Sequence, residues 1–159
     1  PIGAHSSGFI GDDPVVKSTN VFPSLLDCCF DNSKTFYING NDWKTRDGTC
    51  VRDFIHVEDL ADSHIKVLEK LLKREQAVNL NLNIGTGKGV SILELVKTFE
   101  KTNKVEIKYA YAERRVGDYS YLVADNSFAF EKLNWKPKRN LQDMCRDGFN
   151  WYKKSKTLK

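Results

Sequence analysis

Arg52, Arg114 and Arg115 are the side chains of this sequence whose chemistry first asks for a partner. Arg52 stands in Cys50-Val51-Arg52-Asp53-Phe54-Ile55-His56-Val57, among apolar and short-range-bonding neighbours. A buried cation without an anion is expensive. Arg114 and Arg115 belong to Glu113-Arg114-Arg115-Val116-Gly117-Asp118, which reads as a charged loop. A guanidinium presents a planar fork that meets phosphate or carboxylate oxygens two at a time. Each such charge-assisted bond contributes about 1.5–3 kcal/mol. The residues alone leave two readings open. Either Arg52 pairs with Asp53 or Asp59 and the loop arginines are solvated, or the cations converge on a bound anion such as a phosphate.

Gly85-Thr86-Gly87-Lys88-Gly89 lies between a strand pattern and a helix pattern, where a dinucleotide fingerprint would lie. Val90 occupies the third small-residue position, and no clear acid ends a second strand farther on. As a Walker loop it also fails, because Gly89 follows Lys88 in place of Ser or Thr. A tight structural turn is the preferred reading. Tyr152-Lys153-Lys154-Ser155-Lys156 spells the Tyr-x-x-x-Lys of short-chain dehydrogenases, where the lysine lowers the tyrosine pKa. Here it sits in a lysine-rich tail with no cofactor fold ahead of it, and it reads as coincidence. His5, His56 and His64 lack metal-ligand spacing, and Cys28, Cys29, Cys50 and Cys145 form no Cys-x-x-Cys, so no metal site is expected. No Ser/His/Asp or Cys/His arrangement can be argued from order alone. Thiols used as small core residues suit a cytoplasmic protein.

With 159 residues, 40% of them hydrophobic and 29% charged, the chain is expected to form one domain, 1–159, with a proper core. No apolar run is long enough to span a bilayer, and no secretory signal is visible. The net charge of +4 is mild. Its one dense cluster, Lys153, Lys154, Lys156 and Lys159, reads as a solvated tail rather than a nucleic-acid footprint. The sole methionine is Met144 and the chain opens on Pro1, so a piece of a longer protein, missing its front, is expected.

Several elements must position these residues. The stretch 1–14 is rich in turn formers. Asn20 is placed to cap a helix with Pro23 in its first turn. Thr35–Ile38 is a short β run closed by Asn39-Gly40, and Trp43–Gly48 is a polar loop. Val51–Val57 is the central strand, followed by a helix from Asp59 to about Leu72. On that helix Leu60, Ala61, His64, Ile65, Leu68, Leu71 and Leu72 share a face. Asn79–Ile84 alternates strictly and predicts a half-buried strand. Ser91-Ile92-Leu93-Glu94 is a capping box opening a helix to Phe99, with Val90 and Leu95 as its staple. Glu106–Tyr111 predicts a strand, Asp125 a cap for a short helix to Leu133, and Asn140 with Asp143 a cap for the last helix.

Pro1-Ile2-Gly3-Ala4-His5, Asp47-Gly48-Thr49 running into Val51–Val57, Asp59-Leu60-Ala61, Asn83-Ile84-Gly85-Thr86-Gly87, Arg114-Arg115-x-Gly117-Asp118 and Leu133-Asn134-Trp135-Lys136-Pro137 occur in this order. Together they resemble the C-terminal half of the UDP-glucose 4-epimerases, extended short-chain dehydrogenase/reductases, over the whole chain. The resemblance implies an α/β lobe that binds the substrate, a small mixed sheet with several helices, with the N-terminal Rossmann domain absent from this chain. That domain would hold NAD and carry the catalytic tyrosine and lysine, so no catalytic residue is expected here. The family moves a hydride from C4 of the hexose to NAD and returns it to the other face, interconverting UDP-glucose and UDP-galactose. By similarity, Asn20 would hydrogen-bond the diphosphate, Val21 and Asn39 would lie by the uracil, and Arg52 and Arg115 would grip phosphate and nucleotide. Asp118 would accept from a ribose hydroxyl, and Pro1 would touch the cofactor. The glycine turn would be scaffold. Val21 replaces a usual Leu, Asn39 a usual aromatic, and Phe54 and Leu122 usual tyrosines, changes that bear on the base contacts and the sugar. The implied partners are the UDP-hexose, the Rossmann domain and, as an option, a second copy in a homodimer; neither nucleic acid nor membrane is implied. Other readings are a related nucleotide-sugar epimerase or 4,6-dehydratase, or a binding module without catalysis.

Overall fold

The computed structural model describes residues 1–14, 19–73 and 79–157; Lys159 of the basic tail lies outside them. In chain order the elements are α1 (Val21–Phe30), β1 (Phe36–Asn39), β2 (Val51–Asp53), α2 (Val57–Leu72), β3 (Gly89–Ser91), α3 (Ile92–Asn103), β4 (Tyr109–Ala112), β5 (Tyr121–Leu122), α4 (Ser127–Leu133) and α5 (Leu141–Thr157). This is the expected α/β mixture, but the strands divide between two small sheets. β1 and β4 pair in parallel, Phe36 opposite Tyr109 through Asn39 opposite Ala112. β2 lies between antiparallel β3 and parallel β5, so Arg52 stands opposite both Val90 and Leu122.

The helix starts follow their local chemistry. Ser91 Oγ accepts from the Glu94 amide at 3.1 Å and Glu94 Oε2 accepts from the Ser91 amide at 3.4 Å, closing the capping box of α3. Asn140 and Asp143 exchange side-chain-to-amide bonds of 2.9 and 3.0 Å at the start of α5. Asn20 holds the extended N-cap position of α1 without making a side-chain cap bond. At α4 the cap is Asn126, and Asp125 binds the Ser127 amide from one residue farther out. α2 opens on His56, whose Nδ1 accepts from the Glu58 amide at 3.1 Å. That bond fixes the tautomer: Nε2 carries the proton and faces Asp147 Oδ2 at 3.3 Å. Burial, with Arg139 nearby, holds the His56 pKa below its ordinary value.

The main core lies among α1, α3, α5 and β1. Leu25, Ile38, Leu95, Val96 and Phe99 are fully buried there. Phe99 meets Phe22 and Phe149 edge-on, with centroids 6.1 and 6.0 Å apart. A smaller cluster joins Ile55, Leu133 and Trp135 to Leu60, Leu82 and Ile84.

Three expectations change. The central strand is only Val51–Asp53, after which the chain turns and His56 bridges Ile2. Asn79–Ile84 keeps its alternation, with Leu82 and Ile84 turned inward, but pairs with no strand among the described residues. The shared apolar face of α2 turns outward: Ile65, Leu68, Leu71 and Leu72 are exposed, Leu72 at 78%. Periodicity reports that a face is apolar, not what covers it.

Gly148 sits in α5 where a Cβ would run into the Phe22 ring. Gly to Ala in a helix interior ordinarily stabilises by about 1 kcal/mol, while overpacking a core costs about 1–3 kcal/mol. Gly148→Ala is expected to destabilise the fold in urea denaturation, and Phe22→Leu added to it is expected to restore part of the loss. A neutral or stabilising Gly148→Ala would show that α5 does not need this close approach.

Candidate functional site

Arg52 and Asp53 are adjacent on β2 and project to opposite sides, as strand neighbours do. The Asp53 carboxylate goes to the glycine turn. Its Oδ1 accepts from the Thr86 amide at 2.9 Å and the Thr86 hydroxyl at 2.5 Å, and its Oδ2 from the Gly87 amide at 2.9 Å and the Ala124 amide at 3.3 Å. Gly87 has φ +71°, which a glycine adopts without penalty. A Cβ at Gly85 would lie 2.6 Å from Asp53 Oδ2. The Gly85–Gly89 turn is therefore an anion cradle already filled by the protein's own carboxylate.

Arg52 faces a cavity of about 560 Å³, within the usual range for ligand pockets. Its Nη1 donates to Val51 O at 2.8 Å and to Tyr119 O at 2.7 Å, and its Nη2 lies 3.3 Å from Asp118 Oδ1. Its partner is thus Asp118 rather than Asp53 or Asp59; Asp59 is buried and paired with Arg139 at 2.6 Å. Of five guanidinium N–H groups these contacts engage three, and the Cys50 thiol beside the guanidinium is a further partner. Arg115 lines the same cavity and makes no side-chain hydrogen bond or ion pair among the described residues. The Asp118 amide donates to Arg115 O at 3.2 Å, so the two residues bracket one turn.

The cavity brings together Val21, Asn39, Arg52, Arg115 and Asp118. Asn20 stands next to it at the helix start but does not line it, and Pro1 is exposed and apart from it. Sequence reasoning passed over Tyr37, Cys50, Ile92, Asp27 and Lys34, which also line the wall. For Tyr37 a signal existed: it is two residues from Asn39 on the outward face of β1, whose burial alternates. The Phe36 and Gly40 amides bond toward β4, so the intervening backbone of Tyr37 and Asn39 faces away from that neighbour. Burial pushes the Cys50 thiol up in pKa, partly offset by Arg52.

Tyr152 is no base. Its hydroxyl donates to Asp27 at 2.5 Å, and burial together with Asp27 raises its pKa. Lys156 lies over its ring, 4.9 Å from the centroid. Among the described residues no group of three or more His, Cys, Asp or Glu could hold a metal ion, and no helix is long and apolar enough to cross a membrane.

Residues 15–148 match the family model described as GDP-mannose 4,6 dehydratase. The chain belongs to that family. Within it, the chain is 45% identical over 151 residues to the UDP-glucose 4-epimerase of Bacillus subtilis, covering 95% of this chain and 44% of that protein. It is 40% identical over 151 residues to the enzyme of Drosophila melanogaster, covering 95% and 43%. The UDP-glucose 4-epimerase of Stenotrophomonas maltophila, solved with NAD and formylated UDP-arabinopyranose, superposes with a TM-score of 0.94 at 37% identity, over all of this chain and 47% of that one. The Bifidobacterium longum enzyme with NAD+ and UDP gives 0.91 at 38%, over 98% and 46%. The chain spans less than half the length of these relatives, and the lobe it matches is their C-terminal one.

Asp53→Asn replaces one acceptor oxygen of the filled cradle with a donor facing amides. It is expected to destabilise the fold by about 2 kcal/mol, the scale of a charge-assisted bond lost in a partly buried site. Urea denaturation measures it; an unchanged midpoint would mean that the carboxylate does not hold the turn.

Proposed function

We propose that residues 1–159 are the nucleotide-sugar-binding unit of a UDP-glucose 4-epimerase, acting on UDP-glucose and UDP-galactose. The observation that carries the reading is the meeting of Arg52, Arg115 and Asp118 at one cavity. A nucleoside diphosphate offers a diphosphate and a ribose diol, and these side chains are chemically matched to them. Arg52 is held rigid by Tyr119 O and Asp118 and, with Cys50 also beside it, keeps an N–H group for phosphate oxygens. Arg115, uncommitted, supplies the second cation. The remaining lone pairs of Asp118 suit a ribose hydroxyl. Val21 and Asn39 would flank the base, with the outward backbone edge of β1 reading its polar rim, and Asn20 would reach the diphosphate from the start of α1. The lobe would anchor UDP and leave the hexose free to turn.

In this reading the described residues are not asked to supply a dinucleotide site. The glycine turn is filled by Asp53, and Pro1 stands exposed as the one residue assigned to the cofactor. NAD, with the catalytic tyrosine and lysine, belongs in this reading to the rest of the protein. The outward face of α2 and the alternating 79–84 segment, which pairs with no strand among the described residues, support a Rossmann half seated against them. An extended, alternating segment without a ladder suits addition to a sheet edge, which favours this occupant over a second copy of the lobe in a homodimer. The thiols Cys28, Cys50 and Cys145 are buried and in no disulfide, which suits a reducing cytoplasm, burial pushing Cys145 up to about 12.

Calorimetric titration of the chain with UDP-glucose, GDP-mannose and dTDP-glucose tests the nucleotide. UDP-glucose is expected to bind at least roughly tenfold tighter than GDP-mannose, a difference of about 1.4 kcal/mol. Equal or tighter binding of GDP-mannose would move the site to a GDP-sugar enzyme such as a 4,6-dehydratase. The chain supplied with NAD is expected to show no epimerisation; turnover would overturn the division of labour.

A further inference from the structure

Arg114 and Arg115 are neighbours with opposite fates. Arg115 lines the cavity, while Arg114 turns to the 40–48 loop. Its Nε donates to Asp42 Oδ1 at 2.7 Å, and its Nη2 donates to Asp42 O at 2.7 Å. Its guanidinium carbon lies 4.2 Å from the Trp43 ring centroid, a cation–π stack. The Trp43 indole N–H donates to Asn39 O at 3.1 Å, tying this stack to the end of β1. Beneath it Gly40 has φ +83°, and a Cβ there would meet the Trp43 indole and lie 2.9 Å from Arg114 Cγ. The contact also holds the Asp42 carboxyl below the usual range.

The loop carrying Arg115 is thus pinned on both sides. Upstream, Arg114 grips Asp42 and Trp43; downstream, Arg52 grips Tyr119 O and Asp118. The Arg115 side chain between them makes no hydrogen bond or ion pair among the described residues. We propose that the Arg114–Asp42–Trp43 staple is a positioning device that aims Arg115 at the diphosphate, so that residues outside the cavity set the affinity of the nucleotide. The inference rests on the nucleotide reading of the cavity.

Asp42→Asn separates positioning from plain electrostatics by sign. Removing an acid beside a diphosphate site tightens UDP binding if only charge matters. Loosening the staple weakens it, because Arg115 must then be ordered by the ligand. The expected result for the chain is a UDP Kd raised roughly threefold to tenfold in Asp42→Asn, with uridine binding unchanged. Arg114→Lys keeps the charge but loses the fork and the stack, and is expected to act in the same direction. In an Arg115→Ala background neither substitution is expected to shift the UDP Kd further. Circular dichroism and thermal melting check that each variant folds; Asp42 and Arg114 are both exposed, so little change is expected. Tighter or unchanged UDP binding in Asp42→Asn overturns the proposal, as does a weakening that persists without Arg115. A wild-type chain that binds no UDP, or an Arg115→Ala variant that binds it undiminished, instead overturns the nucleotide reading and the proposal with it.

Discussion

The alternation of β2 is the constraint on which the site depends. Within three residues, Val51 enters the core, Arg52 faces the cavity and Asp53 faces the glycine turn. Adjacent opposite charges that might have neutralised each other are separated by the pleat and find different partners. Asp53 spends its lone pairs on amides from Thr86, Gly87 and Ala124, which fastens β2 to the segments around it. Arg52, denied that carboxylate, takes a carbonyl and Asp118 from the loop after β4 and still faces the cavity. A shift of one residue in the register of β2 would exchange these roles, burying the cation against amide donors and turning the carboxylate toward the cavity.

The loop between β1 and β2 holds this strand in place from the other end. Asp47 accepts from the Thr49 amide at 3.0 Å and hydroxyl at 2.8 Å, and also from Ser91 Oγ at the cap of α3. Thr49, fully buried, accepts in turn from the Leu93 amide at 3.2 Å. One loop therefore carries bonds to the start of α3 at its far end and to Arg114 near β1. These polar residues are scaffold, and each has its partner, as buried polar groups require. The cavity wall that results is assembled from α1, β1, β2 and the 113–120 loop, none of which could shape it alone.

Helix caps were legible in the sequence because they are local. Ser91 with Glu94 and Asn140 with Asp143 contain their own partners within one turn. What could not be read was any assignment that depends on distant chain. Nothing near Arg52 says that its acid would be Asp118, 66 positions on, and not Asp53 next to it. The glycine turn read as structural from its mismatches, but its occupant could not be read, because Asp53 reaches it across 33 residues. Asn79–Ile84 carries a strand pattern and α2 an amphipathic one, yet both present apolar groups that the described chain does not cover. Tyr37 was within reach, since β1 alternates and Asn39 on the same face had already been singled out.

The two cavity arginines solve different halves of one electrostatic problem. Holding two guanidinium groups near each other in the absence of an anion is unfavourable, and it worsens as the site becomes drier. Asp118 relieves this by pairing with Arg52 at 3.3 Å, so that one cation is locally compensated and fixed while the other stays solvated. A fixed donor loses little entropy when a phosphate arrives; a solvated one avoids the desolvation penalty until then. Pinning the backbone on both sides of Arg115 limits the freedom that must be lost to the side chain itself. The arrangement gives a site that tolerates being empty, yet still presents two cations along one short wall.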